Sequence, residues 1–149
     1  MGYRTENELR NFVFEEAYID EIRIANGVMR INLENVRITP DNPCNRDIRM
    51  MRTNDLMLTI PDAKLTGIVK EGYKSYNADQ VLLAEYPDTS IPEHEWSDTL
   101  KELSGASIYS LTYSPESGYV ICIDAEEGVY DVTVSGGTDI EEWERFLNL

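Results

Sequence analysis

Histidine is almost missing: His94 is the single one in 149 residues. A histidine-rich metal centre is therefore excluded. The carboxylates around it, Glu93, Glu95 and Asp98, sit where a first helical turn favours acids through the helix dipole. Cysteine is equally scarce. Cys44 and Cys122 lie far apart and form no short metal-binding pair, and Cys122 falls between Ile121 and Ile123 as a small strand side chain. Two free-standing thiols point to a reducing, cytoplasmic compartment rather than a disulfide framework. No run of 18 apolar residues is present, so no membrane-spanning helix is expected. The first residues lack the apolar stretch of a secretory signal, and Glu6 stands where a myristoylation pattern wants Ser or Thr. No glycine-rich phosphate loop occurs either. Gly136-Gly137 precedes an expected helix but lacks the lysine, which leaves at most an anion at that helix N-terminus. No cofactor and no metal are expected.

Basic residues are scarce in one half only. Positions 1–74 carry 11 basic and 12 acidic side chains, while positions 75–149 carry 2 basic (Lys101, Arg145) and 16 acidic. Almost all of the net charge of −15 thus belongs to the second half. Such a field repels nucleic acid and anionic membrane and attracts basic partners. The plainer reading is that the charge only keeps the protein soluble.

What is present is a β-rich pattern. Residues 106–135 alternate with period two over three runs. Tyr109, Leu111 and Tyr113 share one face with Tyr119, Ile121 and Ile123, and then with Tyr130, Val132 and Val134. Ser110, Thr112, Asp124, Asp131 and Thr133 take the wet face, and turns fall at 114–118 and 126–128. Upstream, Asn26-Gly27 is the preferred type I′ hairpin turn. It sets Ile24 against Met29, Ile22 against Ile31 and Asp20 against Leu33. The apolar phase then slips at Glu34-Asn35, which predicts a bulge or strand end. Further strands are expected at 11–18, 56–60, 65–69 (with Gly67 at a bulge or close approach) and 81–86. One helix runs from Pro92 to Gly105 with Trp96, Leu100 and Leu103 as its stripe. Thr138 and Glu141 form a capping box for a second, with Ile140, Trp143, Phe146 and Leu147 as its apolar side. The expected class is α+β: antiparallel sheet of meander and hairpins, two short covering helices, one domain over 1–149, with residues 1–10 frayed.

Two places carry candidate chemistry. The stretch 39–54 is irregular and spaces Arg46, Arg49 and Arg52 three apart, which suits anion or carboxylate recognition. In so acidic a chain the favoured expectation is that these arginines pair with carboxylates of the second half. Cys44 and His94 can be written as a nucleophile pair, with Arg46 and Arg49 supplying positive charge, but no local signature supports it. The second place is the hairpin around Asp124, Glu126, Glu127 and Asp131, a candidate partner-binding surface. Its spacing matches no calcium loop.

The stretch Phe14-Glu15-Glu16-Ala17-Tyr18-Ile19, followed by Ile22 and the hairpin, resembles the opening of several small, acidic, β-rich bacterial families. Some of these are immunity proteins of polymorphic toxin systems. Those openings often carry His-Asp or Asp where this chain has Glu15-Glu16. The resemblance implies a cytosolic protein that binds and blocks a toxin, often a basic nuclease, and it supplies no catalytic residues. The leading expectation is a non-enzymatic module that meets a basic partner through its acidic half. The alternatives are a small ligand-binding or enzymatic domain using the 39–54 loop, and a homo-oligomer formed through a sheet edge or tyrosine face.

Overall fold

The computed structural model describes residues 2–149. Its first half contains β1 (Tyr3–Glu6), β2 (Phe12–Val13), β3 (Tyr18–Ala25), β4 (Val28–Glu34), β5 (Val36–Ile38), β6 (Met51–Thr53), β7 (Leu56–Ile60) and β8 (Lys64–Lys70). There follow β9 (Tyr73–Tyr76), β10 (Leu82–Tyr86), β11 (Thr89–Ser90) and the helix α1 (Trp96–Glu102). The chain ends in β12 (Ser107–Ser114), β13 (Gly118–Ala125), β14 (Gly128–Ser135) and β15 (Ile140–Trp143). Ten strands form one sheet in the order β1-β15-β7-β4-β3-β12-β13-β14-β8-β11. A small sheet β2-β5-β6 and a separate ribbon β9-β10 complete the strands. The class is α+β and mostly antiparallel β, with one short α-helix among the described residues.

The alternation dictates the core. Met29, Ile31 and Leu33 of β4, Leu56, Leu58 and Ile60 of β7, and Ile121, Ile123, Val132 and Val134 of the meander are fully buried in one cluster. The ten-stranded sheet has two halves that meet at β3 and β12, where the ladder narrows to the pair Tyr18–Ser107. Irregular bonds hold this seam, among them Ile108 N–H to Ala17 O and Ile19 N–H to Ala106 O, both 2.8 Å.

The hairpin follows its turn chemistry. Asn26 and Gly27 both have positive φ, at 53° and 75°, as a type I′ turn demands. Ile24 faces Met29 and Ile22 faces Ile31. Further from the turn Asp20 is bulged out, so Ile19 rather than Asp20 opposes Leu33. The bulge keeps an aspartate out of the core and puts an isoleucine in. Asn35, at φ 60°, ends β4 where the phase slip predicts. The irregularity expected at Gly67 falls on its neighbour Thr66, which is skipped between the pairs Gly67–Thr133 and Leu65–Val134. In the meander a shift between Ile108 and Ser110 ejects Tyr109, which is 68% exposed, and gives its inward place to Ile108.

Three expectations are corrected. The strand expected over 11–18 is only Phe12–Val13, because Glu16 takes φ 71° and Ala17 N–H closes a turn onto Phe14 O. Residues 3–6, expected to fray, form β1 along β15, and Tyr3 packs on Trp143 and Phe146. The second helix is absent: its segment is β15, bonded between β1 and β7. Glu141, read as a capping residue, lies in mid-strand and is fully buried.

Candidate functional site

The four predicted acids divide into two sets. Asp124 and Asp131 project from the outer face of β13 and β14, opposite the buried Ile123 and Val132. Asp131 pairs across the ladder with Cys122 and with Val69, and this brings it to Glu71 at the end of β8. Ligand atoms of Glu71, Cys122 and Asp131 all lie within 4.8 Å of one another, and the Cys122 thiol points at Glu71 Oε2 from 3.7 Å. A hydrogen bond with Asp131, desolvation, and the charges of Asp131 and Asp88 raise the Glu71 carboxyl above its ordinary range. Burial and then the same carboxylates push the Cys122 thiol up to about 12. Glu126 and Glu127 occupy the two-residue turn and line a separate cleft with Thr99, Glu102 and Tyr130. Lys70 lies above the Tyr130 ring, 5.8 Å from its centre. Among the described residues, Glu85 is the one carboxylate of the second half within 4.0 Å of a lysine or arginine nitrogen, and Glu95 has His94 beside it.

The arginine loop does not pair as expected. Arg49 bonds Asp47 at 3.0 Å, two residues away, and that hydrogen bond lowers the Asp47 carboxyl. Arg52 Nε donates to the backbone oxygen of Asn148 at 3.0 Å, a carbonyl and not a carboxylate. Arg46 is in none of the ion pairs among the described residues and lines a hollow of about 620 Å³ with Cys44, Asp47, Tyr3 and Phe146. Its partners were misjudged because the loop is closed by asparagines. The Asn45 amide donates to the carbonyls of Ile38, Thr39 and Arg49, and the Asn42 side-chain Oδ1 accepts from Cys44 N–H. Amide side chains satisfy the loop's backbone, and the arginines stay on its rim. His94 pairs only with its neighbour Glu95, at 3.9 Å, and the Cys44 hollow does not include it.

The structure adds a polar cluster that the sequence reading missed. Asp139, Glu141 and Trp143 alternate inward on and beside β15. Thr5 on β1 donates to Glu141 Oε1 at 2.7 Å, and the Tyr119 hydroxyl donates to Asp139 Oδ2 at 2.7 Å. Asp139 Oδ1 and Glu141 Oε2 are buried with no other partner. Burial and the hydrogen bond to Asp139 push Glu141 up to about 9, so it is neutral at pH 7 and has a proton to donate to Asp139. A protonated Glu141 can donate a hydrogen bond where a carboxylate can only accept. Burial, with Asp139 beside it, also raises the Tyr119 phenol. Asp139 and Tyr119 reach the wall of a hollow of about 540 Å³ that Leu9, Arg10, Leu111 and Tyr113 also line. The available signal was the i, i+2 spacing of Asp139 and Glu141. It was overridden because a strand there points acids inward.

The fold is that of a mostly antiparallel α+β protein. No protein-family model, curated protein or solved structure matches the chain. Among the described residues no helix is long and apolar enough to cross a membrane.

Proposed function

We propose that this protein is a non-enzymatic binding module that meets a basic partner protein through the acidic face of β13, β14 and the end of β8. The observation that supports this reading is the closeness of Glu71 and Asp131, whose ligand atoms lie within 4.8 Å of each other, with none of the ion pairs among the described residues reaching Glu71, Asp88 or Asp131. Charge needed only for solubility gains nothing from crowding, because like charges held together oppose folding. A partner that brings lysines or arginines relieves that repulsion on binding. The toxin-blocking role implied by the resemblance of residues 14–19 belongs to the same proposal, with the toxin as the basic partner.

A titration of the labelled protein with an oligolysine peptide tests the localisation. Amide shifts are expected to concentrate on residues 69–71, 88 and 122–131. Shifts spread evenly over Glu93, Asp98, Glu116 and the other surface acids would leave the charge as a solubility device. A second reading, a small-anion site at the Arg46 hollow, is favoured by the shared lining of Cys44 and Arg46. Inorganic phosphate that shifts the Cys44 and Arg46 amides at millimolar concentration would support it, and no shift would dismiss it.

A further inference from the structure

Among the described residues the ribbon β9-β10 pairs with no other strand. Two-stranded ribbons are marginal in water by themselves, yet this one is braced at both ends. At its base Gly72 N–H donates to Asp88 Oδ1 at 2.7 Å, and the return strand β11 pairs with β8. The strands approach so closely there that a Cβ at position 72 would lie 1.9 Å from Tyr86 O. At its tip the Asn77 side chain accepts from Asp79 N–H at 2.8 Å and Val81 N–H at 3.0 Å. Tyr73 and Tyr86 sit opposite each other with rings stacked at 4.5 Å.

This braced ribbon displays apolar side chains to water. Tyr73, Tyr76, Val81, Leu82, Leu83 and Tyr86 are each between 46% and 63% exposed. Register puts Tyr73 and Tyr86 on one side and Tyr76 and Leu82 on the other, so laying either side of the ribbon against the protein leaves the other set exposed. Large apolar side chains held exposed together on one element mark interaction sites, and tyrosine anchors are typical of interface hot spots. The surrounding charge identifies the occupant. Residues 71–88 carry the carboxylates Glu71, Asp79, Glu85 and Asp88 against a single cation, Lys74, which faces Glu85 at 3.9 Å. At the base, Glu71 adjoins Asp131. A second copy of this chain would bring the same carboxylates face to face.

We infer that the ribbon is an anchor that enters an apolar cleft of a basic partner protein, with Glu71, Asp79, Asp88 and Asp131 meeting cations on the cleft's rim. The inference rests on the acidic-face reading and adds the element that supplies the contact area. Site-specific photo-crosslinking in the full chain tests it, with benzoylphenylalanine in place of Leu83 or, as control, of Thr112. The captured protein is then purified and titrated against the Leu83→Ser/Tyr86→Ser and Asp124→Lys/Asp131→Lys variants. The expected result is a basic protein crosslinked from position 83 and not from 112. Affinity should fall at least about tenfold in the ribbon variant, with thermal stability unchanged. A crosslink to a second copy, no crosslink, or full affinity in the ribbon variant overturns the inference. Full affinity in the ribbon variant with loss in the charge-reversed one removes the anchor and keeps the acidic face. Loss in the ribbon variant with full affinity in the charge-reversed one keeps the ribbon as the contact and removes the acidic face.

Discussion

At the scale of single residues, the buried pair Asp139 and Glu141 sets a pH dependence. Glu141 has a folded-state pKa of about 9 against an ordinary 4.5. The folded protein therefore holds a proton that the unfolded chain releases. That contribution is fully present below the ordinary value and is lost as pH rises towards the folded one. Thermal unfolding should show stability falling across this window. Glu141→Gln should flatten the slope, since a glutamine amide can accept from Thr5 and donate to Asp139 without ionising. An equal slope in both proteins would show that Glu141 is charged when folded. Cys122 offers a second test. Burial first, and then Asp131 and Glu71, hold its thiol far above the usual range. Alkylation at pH 8 should be slow, because the thiolate is the reacting form. Asp131→Asn should accelerate it, and an unchanged rate would contradict the carboxylate contribution.

At the scale of elements, the turn at Asn26-Gly27 fixes the β3–β4 register. Gly27→Val forces a β-branched side chain into positive φ and should cost at least about 1–2 kcal/mol. Chemical denaturation reads this directly, and an unshifted midpoint would mean that the turn does not set the register. This hairpin was legible because turn residues and alternation agree, and Met29 and Ile31 duly point inward. The β12–β14 meander was legible for the same reason. Tyr109 was misplaced because a bulge is set by the neighbouring strand, which the local pattern does not contain. β15 was illegible because the inward positions on and just before it include Glu141 and Asp139, and hydrophobic patterning assigns acids to water. Only the long-range partners, Thr5 and Tyr119, make those positions tolerable. β1 was hidden likewise: its polar residues become a strand only once β15 is there to pair with. The pattern placed Asp124 and Asp131 outward, but Glu71 joins Asp131 through β8, a pairing that nothing local announces.

At the scale of the whole molecule, stability and charge are divided between the inside and the outside of one sheet. The core holds side chains from Phe12 to Trp143 in a single cluster, so truncation at its centre is felt throughout. Leu58→Ala, at a fully buried site in β7, should cost about 2–5 kcal/mol, and a smaller loss in equilibrium unfolding would mean that the two halves do not share this core. The outer face of β13 and β14 carries Asp124 and Asp131, and Glu71 lies beside Asp131 at the end of β8. Electrostatic steering of this kind raises encounter rates by roughly 10–10³-fold at low salt and fades as salt screens it. The most direct test is the association rate constant with the crosslinked partner, measured at low and physiological ionic strength for the wild-type protein and for Asp124→Lys/Asp131→Lys. The acidic-face account predicts a wild-type rate that falls steeply with salt and a variant that is slower and nearly salt-independent. Equal, salt-independent rates for the two proteins would contradict it.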